Sequence, residues 1–225
     1  MRFRDRAQAG RRLAERLRAR CEAGALPDPV VLALPRGGVA VAREVARALD
    51  APLDVVVVRK IGAPSQEEYG LGAIAGDDPP LFDRTALNLL GLTEEDLAPV
   101  VERERAELHR RADRYRHGRP APDLGGRTAI VVDDGLATGS TARAALRHVR
   151  RRAPARTVLA VPVGAPDAVR ALHAEADELI CLHQPLIFTA VGVWYDDFEQ
   201  LTDEEVLRVL TEGRETADGW EAADG

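Results

Sequence analysis

The sequence predicts an α/β protein built on a doubly wound, mainly parallel sheet. Short apolar, β-branched runs without polar alternation recur at residues 30–34, 53–58, 129–132 and 157–163, and read as strands buried on both faces. Stretches with apolar side chains three or four apart lie between them, at 39–49 and 143–151, and read as helices. The glycine- and hydroxyl-rich segments come directly after predicted strands, at the carboxyl ends where such sheets hold ligands.

Residues 2–20 carry eight arginines, with Phe3, Ala7, Gly10, Ala14 and Leu17 forming the stripe of an amphipathic helix. Asp5, Glu15 and the absence of serine argue against an arginine-rich targeting peptide. Strand 30–34 ends in Pro35-Arg36-Gly37-Gly38. Two glycines after an arginine let the backbone approach an anion closely, with Arg36 as a charge-assisted donor; a plain strand-to-helix turn is the alternative. Strand 53–58 delivers Arg59 and Lys60 into a glycine- and proline-punctuated segment, 61–72. Of the 31 basic residues only Lys60 is lysine, which suggests a place for a compact ammonium, unless chance put it there.

Residues 71–75 and 81–82 read as a hairpin or edge pair, and 84–90 as a short helix. Thr93 to Asp96 resembles a capping box, and Leu97, Val101, Leu108, Ala112 and Tyr115 continue a helical stripe to about residue 117. Pro99 is compatible with the start of that helix. Its charged face reads as solvated, with a lid or dimer contact as the other reading. Residues 118–126 form a linker.

Next comes the densest motif of the chain. After strand 129–132 stand Asp133 and Asp134, then Gly135, Leu136, Ala137, Thr138, Gly139, Ser140 and Thr141, where the spacing of Ala144, Ala145, Leu146 and Val149 starts a helix. Such a loop turns backbone N–H groups, hydroxyls and the positive end of a helix dipole toward one point, which suits a phosphate monoester. The adjacent acids can accept hydrogen bonds from vicinal hydroxyls. No Gly-Lys pair closes a Walker loop, and no Gly-x-Gly-x-x-Gly is present. Further along lie a strand at 157–163, a helix at 165–174 and a strand at 178–182. Residues 183–198 gather Phe188, Trp194, Tyr195 and Phe198 in a chain that is only 4% aromatic. Thr202 to Glu205 caps a last short helix, and polar residues 212–225 are expected to be disordered.

Phosphate cradle and diol-reading acids together describe a site for a ribose 5-phosphate group. Residues 131–141 closely resemble the signature of type I phosphoribosyltransferases. The resemblance implies the type I phosphoribosyltransferase fold and a single domain over residues 1–211, with a helical insertion at about 84–117 and a small C-terminal hood at about 183–198. In that family the two acids hold the ribose hydroxyls of 5-phosphoribosyl 1-pyrophosphate and the Thr-Gly-Ser-Thr segment holds the 5-phosphate. Pro35 to Gly38 then looks like the pyrophosphate loop, with a cis peptide expected next to Arg36. Arg59 and Lys60 sit where the family carries pyrophosphate-contacting basic residues before a mobile loop, although segment 65–70 also suits an acceptor pocket. Phe188, Trp194 and Asp196 are the candidate hood residues against the base.

Transfer to a nitrogenous acceptor is implied, a purine-like base being favoured, with Asp133, Asp134, Arg36 and Lys60 as the catalytic set. Magnesium is the implied cofactor, held by Asp133 and Asp134 directly or through water. Some relatives carry an acid where this chain has Ala137, which leaves no obvious general base. A non-catalytic regulator that binds the same donor is the alternative. The expected assembly is a homo-oligomer, most simply a dimer.

Composition narrows the other classes. A net charge of −6 over 225 residues argues against a general nucleic-acid binder. Two cysteines far apart suggest neither disulfides nor zinc, so a cytoplasmic setting is the simplest expectation. No apolar run has membrane-spanning length. Ser65 and Ser140 lack a Gly-x-Ser-x-Gly context, and the five histidines lack ligand spacing.

Overall fold

The elements of the computed structural model run α1 (Arg6–Glu22), β1 (Pro29–Ala33), α2 (Gly37–Leu49), β2 (Leu53–Val55), β3 (Val58–Ala63), β4 (Gln66–Ala75), β5 (Leu81–Phe82), α3 (Arg84–Leu90), α4 (Ala98–Arg116), β6 (Thr128–Val132), α5 (Ser140–Arg150), β7 (Arg156–Val163), α6 (Pro166–Leu172), β8 (Glu178–His183) and α7 (Asp203–Glu221). Residues 1–64 and 66–221 are described, with backbone alone at 68 and 213–221. β2, β1, β6, β7 and β8 lie side by side in that order, every pair parallel.

Alternation along these strands explains the two helical layers. Val31, Ala33, Ile130, Val132, Val158 and Ala160 face a core shared with Leu13 of α1 and Val41 and Val45 of α2. Their neighbours Val30, Leu32, Ala129, Val131, Leu159 and Val161 face the opposite core, with Leu146 and Val149 of α5 and Val169 and Leu172 of α6. Each fully buried Val or Leu contributes about 1.5–3 kcal/mol, so this sheet anchors the fold more firmly than helix propensity does. The predicted doubly wound sheet is therefore the one observed. α1 is capped by Asp5, whose carboxylate accepts from the Gln8 N–H at 2.6 Å, and it crosses α2 closely at Gly10.

One predicted strand is corrected. The parallel strand at 53–58 stops at Val55, and the chain turns into a second, antiparallel sheet of β3, β4 and β5. Arg59 and Lys60 consequently lie within β3, not at a parallel-strand end, and segment 61–72 is mostly hairpin instead of loop. Its glycines serve close strand approach: a side chain on Gly62 would run into the Glu67 carbonyl, and one on Gly72 into that of Leu81. The expected edge pair is present, with Gly72 opposite Phe82 and Ala73 opposite Leu81. Ser65 lies outside the described residues.

α4 begins as the sequence implies, after mutual Thr93–Asp96 hydrogen bonds and with Pro99 in its first turn. It buries Val100, Val101, Leu108 and Tyr115 against the first core, beside Leu97 at its cap. At its far end Arg116 pairs with Asp54 at 3.0 Å, and the Tyr115 hydroxyl donates to Asp203 of α7 at 2.7 Å. Thr202 and Glu205 form the expected capping box of α7. This helix is longer than expected: its backbone stays helical to Glu221, through most of the segment expected to be disordered, where Glu, Arg and Ala favour continuation. Residues 222–225 lie outside the described residues. Among the described residues no helix is long and apolar enough to cross a membrane.

Candidate active site

β6 is the central strand, with β1 and β7 on either side, so the loop leaving its carboxyl end emerges between the loops of those two neighbours. The Leu34 N–H donates to the Val132 carbonyl at 2.9 Å and carries the β1 loop alongside Asp133 and Asp134. There the Pro35–Arg36 peptide is cis, as the resemblance implied. The two glycines after it are steric necessities. A Cβ on Gly38 would sit 2.7 Å from the Val132 carbonyl oxygen, and one on Gly37 would collide with the Asp134 carboxylate. The Gly37 N–H finds no acceptor among the described residues, and the half-buried Arg36 guanidinium forms no ion pair among them. Both are available to an anion.

Beyond the acids, the loop is pinned at one point and open at the next. Gly135 packs against Val191 and Val163 so closely that a Cβ would not fit. Leu136 donates its N–H to the Val163 carbonyl at 2.9 Å, accepts from the Ala165 N–H at 2.8 Å, and buries its side chain. It therefore anchors the loop and does not present its N–H to a ligand. Ala137 and Thr138 are exposed, and Gly139 takes φ 78°, the left-handed value glycine permits. The Thr138 and Ser140 hydroxyls lie 3.2 Å apart at the start of α5, whose first-turn N–H groups have no intrahelical acceptors. Hydroxyls and first-turn N–H groups therefore stand together at this corner.

The acids are enclosed and unequal. Asp133 accepts from the Asp134 N–H at 2.8 Å. Burial, then the charge of Asp134, raises the Asp133 carboxyl well above the usual range. Burial also raises Asp134, and the Arg6 guanidinium opposes that rise. Arg6 reaches the acid from the first turn of α1: its Nε and Nη2 each lie 2.8 Å from Asp134 Oδ2. Nη1 donates to the Glu199 carbonyl at 2.7 Å, and the guanidinium carbon lies 3.8 Å from the centre of the Phe198 ring. The Tyr195 hydroxyl donates to the Asp134 carbonyl at 2.6 Å. An open cleft of about 350 Å³ adjoins Arg6, between α1, Ala40 and residues 197–205.

Asp133, Asp134, Gly37, Gly38 and the 135–141 loop thus converge. Other predicted residues are held elsewhere. Arg59 pairs with Glu104 of α4 at 2.6 Å, while exposed Lys60 runs along Gly70 on the hairpin. Phe188 packs against the small cluster of Phe3, Val163 and Tyr195. Trp194 meets the His183 ring edge-on at 4.9 Å, and Asp196 pairs with Arg2 at 3.3 Å on the surface. Arg6, Tyr195 and Phe198 are the unforeseen contributors. Arg6 was concealed among the eight arginines of the first 20 residues, and its one distinguishing signal is its place directly after the helix cap Asp5.

A family model described as phosphoribosyl transferase domain matches residues 3–197. A provisionally named phosphoribosyl transferase of Mycobacterium tuberculosis, Rv0571c, is 46% identical over 208 residues, or 92% of this chain and 46% of that protein. The chain thus spans about half the length of the curated relatives it matches. The crystal structure of TT1426 from Thermus thermophilus has 47% sequence identity and a TM-score of 0.78, covering 94% of this chain and 99% of that one.

Proposed function

The chain belongs to the phosphoribosyl transferase domain family, and from that premise we propose that it moves the phosphoribosyl group of 5-phosphoribosyl 1-pyrophosphate to a nitrogenous acceptor and releases pyrophosphate. The observation that carries this reading is the convergence of two enclosed carboxylates, the Gly37–Gly38 backbone and the Thr138–Thr141 donors at the end of β6.

Each part has a task. The first turn of α5 and the hydroxyls of Thr138, Ser140 and Thr141 hold the 5-phosphate. Asp133 and Asp134 fix the ribose diol, so binding at the phosphate orients the anomeric carbon. The Gly37 N–H and Arg36 stabilise the leaving pyrophosphate, with Lys60 able to join them if the β3–β4 hairpin moves inward. The anomeric C–O bond breaks with its electron pair going to pyrophosphate, through an oxocarbenium-like state. A C–N bond forms, and the acceptor nitrogen loses its proton to solvent, because Ala137 offers no base.

Magnesium fits the donor set. Asp133 and Asp134 are adjacent hard oxygen donors. That suits a cation that keeps waters and binds through one or two carboxylates plus substrate phosphates. When bound, it would offset the charge of the leaving group. The half-buried aromatic surface around Phe188 and Trp194, joined to the loop by the Val191–Gly135 contact, favours a flat, purine-like acceptor. Exposed Leu89 and Leu90 on α3 support a homodimer, which sedimentation equilibrium measures.

Phosphorus NMR of the protein with the donor, magnesium and a pool of purine and pyrimidine bases tests the reading. Wild-type conversion to pyrophosphate and a nucleotide monophosphate, absent in Asp134→Asn, is the expected result. Donor signals that broaden without turnover would favour the non-catalytic regulator; no perturbation would overturn the reading.

A further inference from the structure

Three of the four polar groups of Asp134 are already committed. Its N–H donates to Asp133, its carbonyl accepts from Tyr195, and its Oδ2 accepts from Arg6 Nε, with Arg6 Nη2 in ion-pair contact at 2.8 Å. Oδ1 alone receives no hydrogen bond among the described residues. The Oδ2 edge is further shielded by Gly37, where even a methyl group would collide. Every nitrogen of Arg6 is used as well, and the residue is only 7% exposed. No part of this pairing is the loose surface contact expected of an arginine-rich helix.

Resting on the donor-site reading above, we infer that Arg6 is a positioning residue for the substrate ribose. By holding Oδ2 with a hydrogen bond from Nε and an ion-pair contact from Nη2, it fixes the plane of the Asp134 carboxylate and leaves Oδ1 to accept from the vicinal diol. A planar guanidinium suits this task because its paired donors set an orientation, which an ammonium does not. The Glu199 carbonyl and the Phe198 ring hold Arg6 in turn, so α1 and the 195–199 segment act on the ribose through one side chain.

The test compares ribose 5-phosphate with 2,3-dideoxyribose 5-phosphate by phosphorus NMR titration of full-length wild type, Arg6→Ala and Arg6→Lys. Wild type is expected to prefer the diol compound by roughly tenfold, the size of one charge-assisted hydrogen bond. Arg6→Ala should bring that ratio close to one while changing dideoxy affinity less than twofold, and Arg6→Lys should fall between. Where Arg6→Ala fails to fold by circular dichroism, Phe198→Leu, which keeps the guanidinium but removes its support, is read in the same way. Equal loss of both ligands, or an undiminished ratio in the variants, would assign Arg6 a purely structural role and overturn the inference. A wild type that binds neither compound would sink the donor-site reading itself, a result distinguishable from failure at Arg6.

Discussion

The corner at the end of β6 and the module formed by β3, β4 and α4 are held together by different physics. At the corner, main chain is packed closely: Gly37, Gly38 and Gly135 allow contacts no side chain would permit, and the groups proposed to hold the ligand are backbone N–H donors and short side chains. The module is fastened by long side chains. Arg59 reaches Glu104, Arg103 reaches Glu67, and Arg105 reaches the carbonyls of Gly76 and Asp78. A corner built from backbone has little freedom to misplace a charge, whereas the module adds ion pairs to a core that its Ile61, Leu71, Ile74, Val101 and Leu108 already share. Substitutions at the corner should therefore act on binding as well as stability, and substitutions in the module on stability alone.

The largest expected effect is at Asp134. Asp134→Asn should weaken donor binding roughly hundredfold in calorimetric titration, because the diol loses a charged acceptor. Gly37→Ala and Gly38→Ala sharpen the contrast within the corner. The first drives a methyl group into the Asp134 carboxylate held by Arg6 and should cost roughly tenfold in donor affinity together with a measurable fall in Tm. The second drives a methyl group into the Val132 backbone and should cost about 1–3 kcal/mol of stability in urea unfolding.

In the module, Glu104→Ala releases Arg59 and should cost about 1–2 kcal/mol, with donor affinity within twofold of wild type. A tenfold affinity change would break the comparison and make the hairpin part of the site. The smallest effect is expected from Tyr115→Phe, about 1 kcal/mol, because Arg114 still holds Asp203. Burial, then the bond to Asp203, pushes the Tyr115 hydroxyl up to about 12 from 10.0. The folded state thus holds this proton more tightly than the unfolded state does. Its stabilisation is complete below pH 10 and is lost as pH rises toward 12, so Tm should fall less steeply over that interval in the variant.

The same contrast separates what the sequence made legible from what it did not. Residues 129–141 were readable because strand, acids, loop and helix start succeed one another without interruption, each with a local signature. The two cores were implied by unbroken apolar strands, and the capping boxes at Thr93 and Thr202 by their spacing. The β3–β4 hairpin was obscured because Gly62 and Gly72 carry the same letter whether glycine makes a turn or admits a neighbouring strand. Arg6 was hidden by abundance: helical periodicity distinguishes apolar from polar positions, and gives no means of telling one arginine from seven others. Its partner stands 128 residues away, beyond the reach of any local pattern.

Phe3 and Tyr195 form a parallel bridge, with the Phe3 N–H donating to the Trp194 carbonyl at 2.8 Å and the Asp196 N–H donating to the Phe3 carbonyl at 2.9 Å. On a ribosome, the two partners in this clasp are made far apart, Phe3 well before Tyr195. The hydroxyl that steadies the Asp134 carbonyl is translated 61 residues after it, and the carbonyl that steadies Arg6 comes 193 residues after Arg6. A nascent chain halted inside β8 would carry both Arg6 and Asp134 yet lack Tyr195, Phe198 and Glu199, which brace them in the folded chain. The support of this ion pair is thereby completed only once the chain has been made as far as Glu199.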